Sequence, residues 1–424
     1  MMSSIFLRST YQVLLVFAAL VGFGLITGCV STTGGYSNSK NSYSVGPNAN
    51  QKNAPVQQNL PQKNKKIDLS ILVLPLDPNL PEDTDEYAKE GIWPELRRAE
   101  GNRFAVKMRD ALNDTHTFRS VRVVPDKNAT GNLYVSGKIR RSNGERIELS
   151  ITVTAISGEV LVRNKVYRHQ VKEYELNNPR NKSDYDLYQP IFNDIAQDIS
   201  KIIKRLSESQ IASMNTVEEL RFAESFSPEY FSPFLETSKK GITHLTSAPA
   251  DEDMMLTRTK ELRVRDKLFI DDLQKDYNNF SRQMWDEYRL WQRESYFENK
   301  AARKAKAKGI GKKILGAAAL VGGIALVATS DPYSGGGQAL GGTLLAAAGV
   351  AAVGSGMSDS ADAKMHAASM NELGRSLNID LAPRVIKMEE RTLELKGNAS
   401  EQYTLWRDFL LDLYRLDKTP DISL

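Results

Sequence analysis

Cysteine occurs once in the 424 residues, at Cys29. A single thiol excludes an intrachain disulfide and any Cys-rich zinc site. Histidine is nearly as scarce. The four, His116, His169, His244 and His366, lie far apart, with no partner at ligand spacing. Strings of the HExxH, GxSxG, GxGxxG and phosphate-loop types are absent. The chain also lacks a dominant charge: 56 basic against 52 acidic residues leave +4, which gives no bulk field for nucleic acid. A mean hydropathy of −0.40 excludes a multi-pass transporter. The hydrophobic fraction of 41% excludes a wholly disordered or collagen-like chain. Asp77, Glu82, Asp83, Asp85 and Glu86 gather acid in one loop, but without the order and glycine of an EF-hand. We read that loop as solvated, and we expect no metal, no cofactor and no catalysis.

What is present begins with an address. Arg8 is the only charge in residues 1–28, and an apolar run from Val13 to Ile26 follows it. The run is short for a spanning helix. It ends in Leu25-Ile26-Thr27-Gly28-Cys29. This resembles the lipobox of bacterial lipoproteins: apolar, small, Gly or Ala, then Cys. The resemblance implies cleavage between Gly28 and Cys29 and lipid on Cys29. It also implies delivery to the outer membrane, periplasm-facing, because Val30 rather than Asp follows the cysteine. Several acyl chains anchor stably, at roughly 0.8 kcal/mol per buried CH₂. Residues 29–66 carry this cysteine and a Ser-, Asn-, Gly-, Gln- and Pro-rich tether that holds too little apolar surface to fold. As a flexible coil it spans roughly 30 Å.

Residues 67–208 read as a folded domain. Ile67 to Leu76 is a buried strand, and Trp93-Pro94 opens a helix with Ala105, Met108 and Leu112 at helical spacing. A second strand spans Val121 to Val124. Leu133, Val135 and Ile139, and then Ile147, Leu149, Ile151 and Val153, alternate on two strands joined at Asn143-Gly144, a strong hairpin signal. Ser157-Gly158 turns the chain into Val160 to Tyr167. A helix from about Ser183 to Leu206 presents Ile191, Ile195, Ile199, Ile202 and Leu206 on one face. The order predicts an α+β chain that opens with a mixed-sheet α/β sandwich, helices on one face. The segments "ILVLPLD", "FRSVRVV" and "NLYVSGKIRRSNGERIELSITVTAISGEVLVRNKVY" are similar to a periplasmic module of the TolB amino-terminal domain, the curli secretion channel lipoprotein and lipoprotein activators of peptidoglycan synthases. That resemblance implies binding of other envelope proteins, or assembly into rings, without a catalytic residue.

Residues 209–250 read as a connector rich in aromatics: Phe222, Phe226, Tyr230, Phe231 and Phe234. They serve either its own packing or a partner. Residues 251–309 read as a long amphipathic helix. Its stripe of Leu262, Phe269, Leu273, Tyr277, Phe280, Met284, Tyr288 and Trp291 fits either the chain's own core or self-association. A basic block follows, Lys300, Arg303, Lys304, Lys306, Lys308, Lys312 and Lys313, with no acid after Glu298. We expect Lys304, Lys306, Lys308, Lys312 and Lys313 to meet anionic lipid headgroups. In residues 310–358 two charge-free runs, Ile314 to Ala328 and Ala339 to Gly354, flank "TSDPYSGGG". Each is near the length that spans a bilayer. Their small residues, including Gly316, Gly322, Gly323, Gly341, Gly342 and Gly349, allow close helix packing, and the pattern resembles a glycine zipper. Three readings stay open for this helical hairpin: membrane insertion, a buried water-soluble hairpin, and a subunit interface.

Residues 359–424 read as helix, strand, strand, helix. Asn398 or Ser400 caps a last helix that carries Tyr403, Trp406, Phe409, Leu410 and Leu413. The stretch "RTLELKGNASEQYTLWRDFLL" resembles half of a BON module, a small envelope domain associated with phospholipid. The expected function is a non-catalytic scaffold or assembly factor of the cell envelope. Its expected partners are membrane lipid through Cys29, other envelope proteins and possible sister copies, with no nucleic acid. The alternatives are a ring-forming subunit of a secretion channel and a cell-wall-active enzyme.

Overall fold

The computed structural model describes residues 66–84, 86–87, 92–177, 185–250, 252–307, 379–388 and 391–416. The fold is α+β, built on a mixed five-stranded sheet. Strand β1 (Ile67–Val73) is buried from Leu69 onward on both faces, which suits a central strand flanked by parallel neighbours. Helix α1 (Pro94–Asp114) makes the crossover to β2 (Phe118–Val123), and β3 (Leu133–Ser142) pairs parallel on the other side. Strands β4 (Arg146–Ala155) and β5 (Val160–Gln170) then add antiparallel hairpins, giving the order β2-β1-β3-β4-β5. Both predicted turns hold glycine at positive φ, +77° at Gly144 and +89° at Gly158. β2 starts three residues before the predicted Val121, because Ile67 pairs with Phe118.

Helix α2 (Glu173–Asn177) is one turn, and α3 (Gln189–Ile203) begins where Pro190 fits the first helical turn. Ile191, Ile195, Ile199 and Ile203 bury one face of α3. They lie with α1 over the sheet, where Phe104 meets Phe192 at a centroid distance of 5.4 Å.

The reading of helices on one face only is incomplete, because α4 (Glu208–Glu224) covers β1 from the other side. The tie is buried Asn132. Its Oδ1 accepts from Ser70 N and Oγ at 2.8 and 2.9 Å, and its Nδ2 donates to Asn215 Oδ1 at 2.9 Å. The connector continues through α5 (Pro228–Phe231), a 3₁₀ turn and the small hairpin β6 (Leu235–Thr237) and β7 (Thr243–Leu245). Its Phe222, Phe226 and Phe231 are buried within the chain. Arg407 lies over the rings of both Phe222 and Phe226, at 4.8 Å from each.

The long helix divides into α6 (Met254–Gln283) and α7 (Trp285–Ala307). The division is slight: Met284 N donates to Phe280 O and Tyr288 N to Met284 O, so the hydrogen-bond ladder continues. Together they make about 80 Å of helix. The aromatic stripe is spent inside the chain. Leu262, Phe269, Leu273, Tyr277, Phe280, Met284 and Tyr288 all join the core that contains the sheet.

Strand β2 has a free edge, and an open edge invites strand addition. α6 closes it with a side chain. Gln274 Oε1 accepts from Val123 N at 2.9 Å and its Nε2 donates to Val123 O at 2.8 Å, as a neighbouring strand would. Asp271 pairs with Arg122 alongside. At the C-terminal side, β8 (Arg384–Met388) and β9 (Arg391–Leu395) form a two-stranded sheet before α8 (Ala399–Leu416). Asn398 is the cap: its Oδ1 accepts from the N–H groups of Ser400 and Glu401, and Glu401 answers by accepting from Asn398 N. Trp406 stacks on Phe269 at 5.1 Å and 13°, which fixes α8 on α6.

Gln274→Ala leaves one buried donor and one acceptor of β2 unpaired. We expect a loss of about 1–3 kcal/mol in urea unfolding. A melt equal to wild type would show that water serves the edge equally well.

Candidate functional site at the hairpin end of the sheet

β3 runs parallel to β1 and continues well past Val73, its partner at Val135. The Asn143–Gly144 turn therefore stands at the end of the sheet opposite Ile67. Asn143 builds the turn, its Oδ1 accepting from Arg146 N at 2.8 Å. Helix α7 crosses directly over it. A Cβ on Gly144 would lie 2.6 Å from Ser295 Cβ and 2.7 Å from Gln292 O, so only glycine admits this approach. Asn299 Nδ2 donates to Asn143 O at 2.8 Å. Arg303 pairs with buried Glu145 at 2.6 Å, and Lys300 with Glu173 of α2. Lys300 and Arg303, read from sequence as part of a free basic block, are thus engaged by the folded domain.

Beneath this contact lies a buried polar cluster that joins α1 to α7. Glu100 Oε1 accepts from Tyr288 OH at 2.8 Å and from Ser142 Oγ, and its Oε2 faces Arg97 Nε at 3.3 Å. Burial pushes the Glu100 carboxyl above its usual range, against the opposing pull of Arg97, the two hydroxyls and Arg103. Arg103 lies between the rings of Trp285 and Tyr288, 4.7 Å from each, and pairs with Asp186 at 2.6 Å. Burial works to raise Asp186 as well. Arg103, Lys107 and the Tyr188 N–H outweigh it and hold that carboxyl below its usual range. The cluster orients α7 through directional bonds where apolar packing alone would let it rotate.

A crevice of 410 Å³ opens outside the carboxyl ends of β1 and β2, where open α/β sheets hold ligands. Leu74, Pro75 and Pro125 make its walls, and Asp77, Asp126 and Lys127 rim it. Asp77 pairs with Lys138 at 3.2 Å, and Asp126 accepts from Ser400 Oγ. Among the described residues no group of three or more His, Cys, Asp or Glu could hold a metal ion. Among them also no helix is long and apolar enough to cross a membrane.

Of the residues singled out by sequence, Lys304 is exposed on the last turns of α7, and Lys306 falls within that helix. Gly28, Cys29, Lys308, Lys312, Lys313 and the six glycines Gly316, Gly322, Gly323, Gly341, Gly342 and Gly349 lie outside the described residues, as does the whole apolar hairpin. Sequence reasoning found the Asn143–Gly144 turn but not its seat on α7. The one signal was Glu145, an acid beside a turn with a basic block far along the chain. No protein-family model, curated protein or solved structure matches this chain.

Two variants test this contact. Gly144→Ala should destabilise by about 1–3 kcal/mol and speed hydrogen exchange along α7, through strained φ and displaced helix backbone. Glu100→Ala should cost about 3 kcal/mol or more by stranding Arg97, Ser142 and Tyr288. Glu100→Gln keeps the shape and removes the titration. A raised carboxyl pKa makes the folded state hold a proton that the unfolded state releases. Wild-type stability relative to Glu100→Gln should therefore fall as pH rises above about 4.5. Parallel pH profiles for the two proteins would contradict that assignment.

Proposed function

We propose that the protein is a non-catalytic lipoprotein of the bacterial cell envelope that scaffolds or assembles an envelope complex. Cys29 carries the lipid, the tether leads to the sheet domain, and α7 delivers the Gly/Ala-rich segment to a membrane. The observation that carries this reading is the polarity of the fold. The chain enters the sheet at Ile67, at one end, and α7 leaves past the Asn143–Gly144 turn, at the other. Membrane-directed segments that join the domain at opposite ends of its sheet suit a device that holds two layers, or two parts of one complex, at a set spacing. The lipobox-like Leu25–Cys29 supports the anchor, and the charge-free runs from Ile314 support the second contact. The resemblance to envelope modules that bind other proteins supports the scaffold.

Metabolic labelling with an alkyne fatty acid tests the anchor. Wild type should label and Cys29→Ala should not, and an unlabelled wild type would overturn the lipoprotein reading. Carbonate washing of Cys29→Ala, exported by a cleavable non-lipid signal, tests the second contact. We expect it to stay with membranes. Its full release would leave a singly tethered adaptor.

A further inference from the structure

We infer that the hairpin end of the sheet is itself an anionic-headgroup surface, formed by Arg140, Arg141 and Arg168 beside the end of α7. The inference rests on the membrane-directed role proposed for α7 and adds a docking face on the folded domain. The register places these residues together. Arg141 pairs across β3–β4 with Glu148, and Glu148 pairs across β4–β5 with Arg168, all within a few residues of the Asn143–Gly144 turn.

The charges do not cancel. Among the described residues Glu148 is the one carboxylate paired with Arg140 and Arg168, at 3.1 and 2.9 Å, and both arginines stay at least half exposed. Arg141 is exposed and has no ion pair among the described residues. Of the other described acids at this end, Glu145 and Glu173 are taken by Arg303 and Lys300. Glu294 and Glu298 lie on α7 itself, where burial and the neighbouring Glu294 push the Glu298 carboxyl up to about 7. Glu175, in the same turn of helix as Glu173, faces His169 at 3.9 Å. Asp77, at the start of the β1–α1 connection, pairs with Lys138, two residues before Arg140. Arg141, together with Arg140 and Arg168 sharing one carboxylate, therefore leaves uncancelled positive charge beside the point where α7 exits.

The sequence that ends α7 and follows it sets the occupant. Lys304, Lys306, Lys308, Lys312 and Lys313 continue the positive charge along the chain, and the charge-free run starts at Ile314. A bilayer bearing anionic headgroups meets both features at once, the basic charge through its headgroups and the charge-free run through its apolar interior. Attraction of about 1 kcal/mol for each basic residue near such a surface makes two arginines worth about 30-fold in partition.

Co-flotation of full-length Cys29→Ala protein tests this, on vesicles of phosphatidylcholine with or without phosphatidylglycerol. The added R140Q/R141Q pair should weaken binding to the anionic vesicles about 30-fold at low salt and leave binding to neutral vesicles unchanged. Its thermal melt, which should match the parent, separates this from misfolding. Equal binding of parent and R140Q/R141Q to anionic vesicles would overturn the inference. A second variant carrying K304Q, K306Q, K308Q, K312Q and K313Q reads the earlier proposal alone. Loss of binding there, with none in R140Q/R141Q, would keep the lysine segment at the membrane and remove the sheet domain from it. A parent that makes no distinction between the two vesicle types would reject both.

Discussion

The seating of the Asn143–Gly144 turn against α7 is the contact on which the arrangement of the molecule depends. It joins the far end of the sheet to a helix whose residues are more than a hundred positions away in sequence. A glycine without Cβ lets helix and turn backbones approach, and Asn299 and Arg303 bond the two together. The helix is held along its length by other means as well. Gln274 replaces a strand at the β2 edge, and Glu100 and Arg103 fix the rotation of α7 through Tyr288 and Trp285. Apolar burial gives the helix its adhesion to the core. The directional polar contacts determine where it points when it ends.

That division explains how the helix can keep one direction relative to the sheet. The stripe from Leu262 to Tyr288 shares one core with the sheet, so α6 and α7 move with the domain and not against it. α8 adds to the same core through Trp406 and Tyr403 on Phe269. The buried acid Asp266 is raised by burial, against Arg407 and the Tyr403 hydroxyl, in the same manner as Glu100. Buried carboxylates of this kind sit at helix junctions, where each specifies one packing at some expense of stability.

The strands, the two turns and the apolar faces of the helices were legible from the sequence because they depend on local periodicity. Alternation at Ile147, Leu149, Ile151 and Val153 needs only neighbours two residues apart. The start of β2 at Phe118 was not legible, because pairing with Ile67 creates it. Nor was α4, whose weak amphipathicity gave no period; Asn132 holds it from a distant loop. The candidate site was hidden for the same reason. Gly144 reads as an ordinary turn residue, and its closest contacts lie at Gln292 and Ser295. Long-range polar contacts leave no spacing to recognise.

The central claim is that α7 leaves the sheet at a fixed position opposite the end where the chain enters. A distance between nitroxide labels at Lys66→Cys and Lys304→Cys, in a full-length Cys29→Ser background, measures this directly. Counting strand residues from Lys66 through the β1–β3 register to the turn predicts one narrow distribution centred at about 40–50 Å. A broad distribution, or a main distance below about 30 Å, would contradict the account.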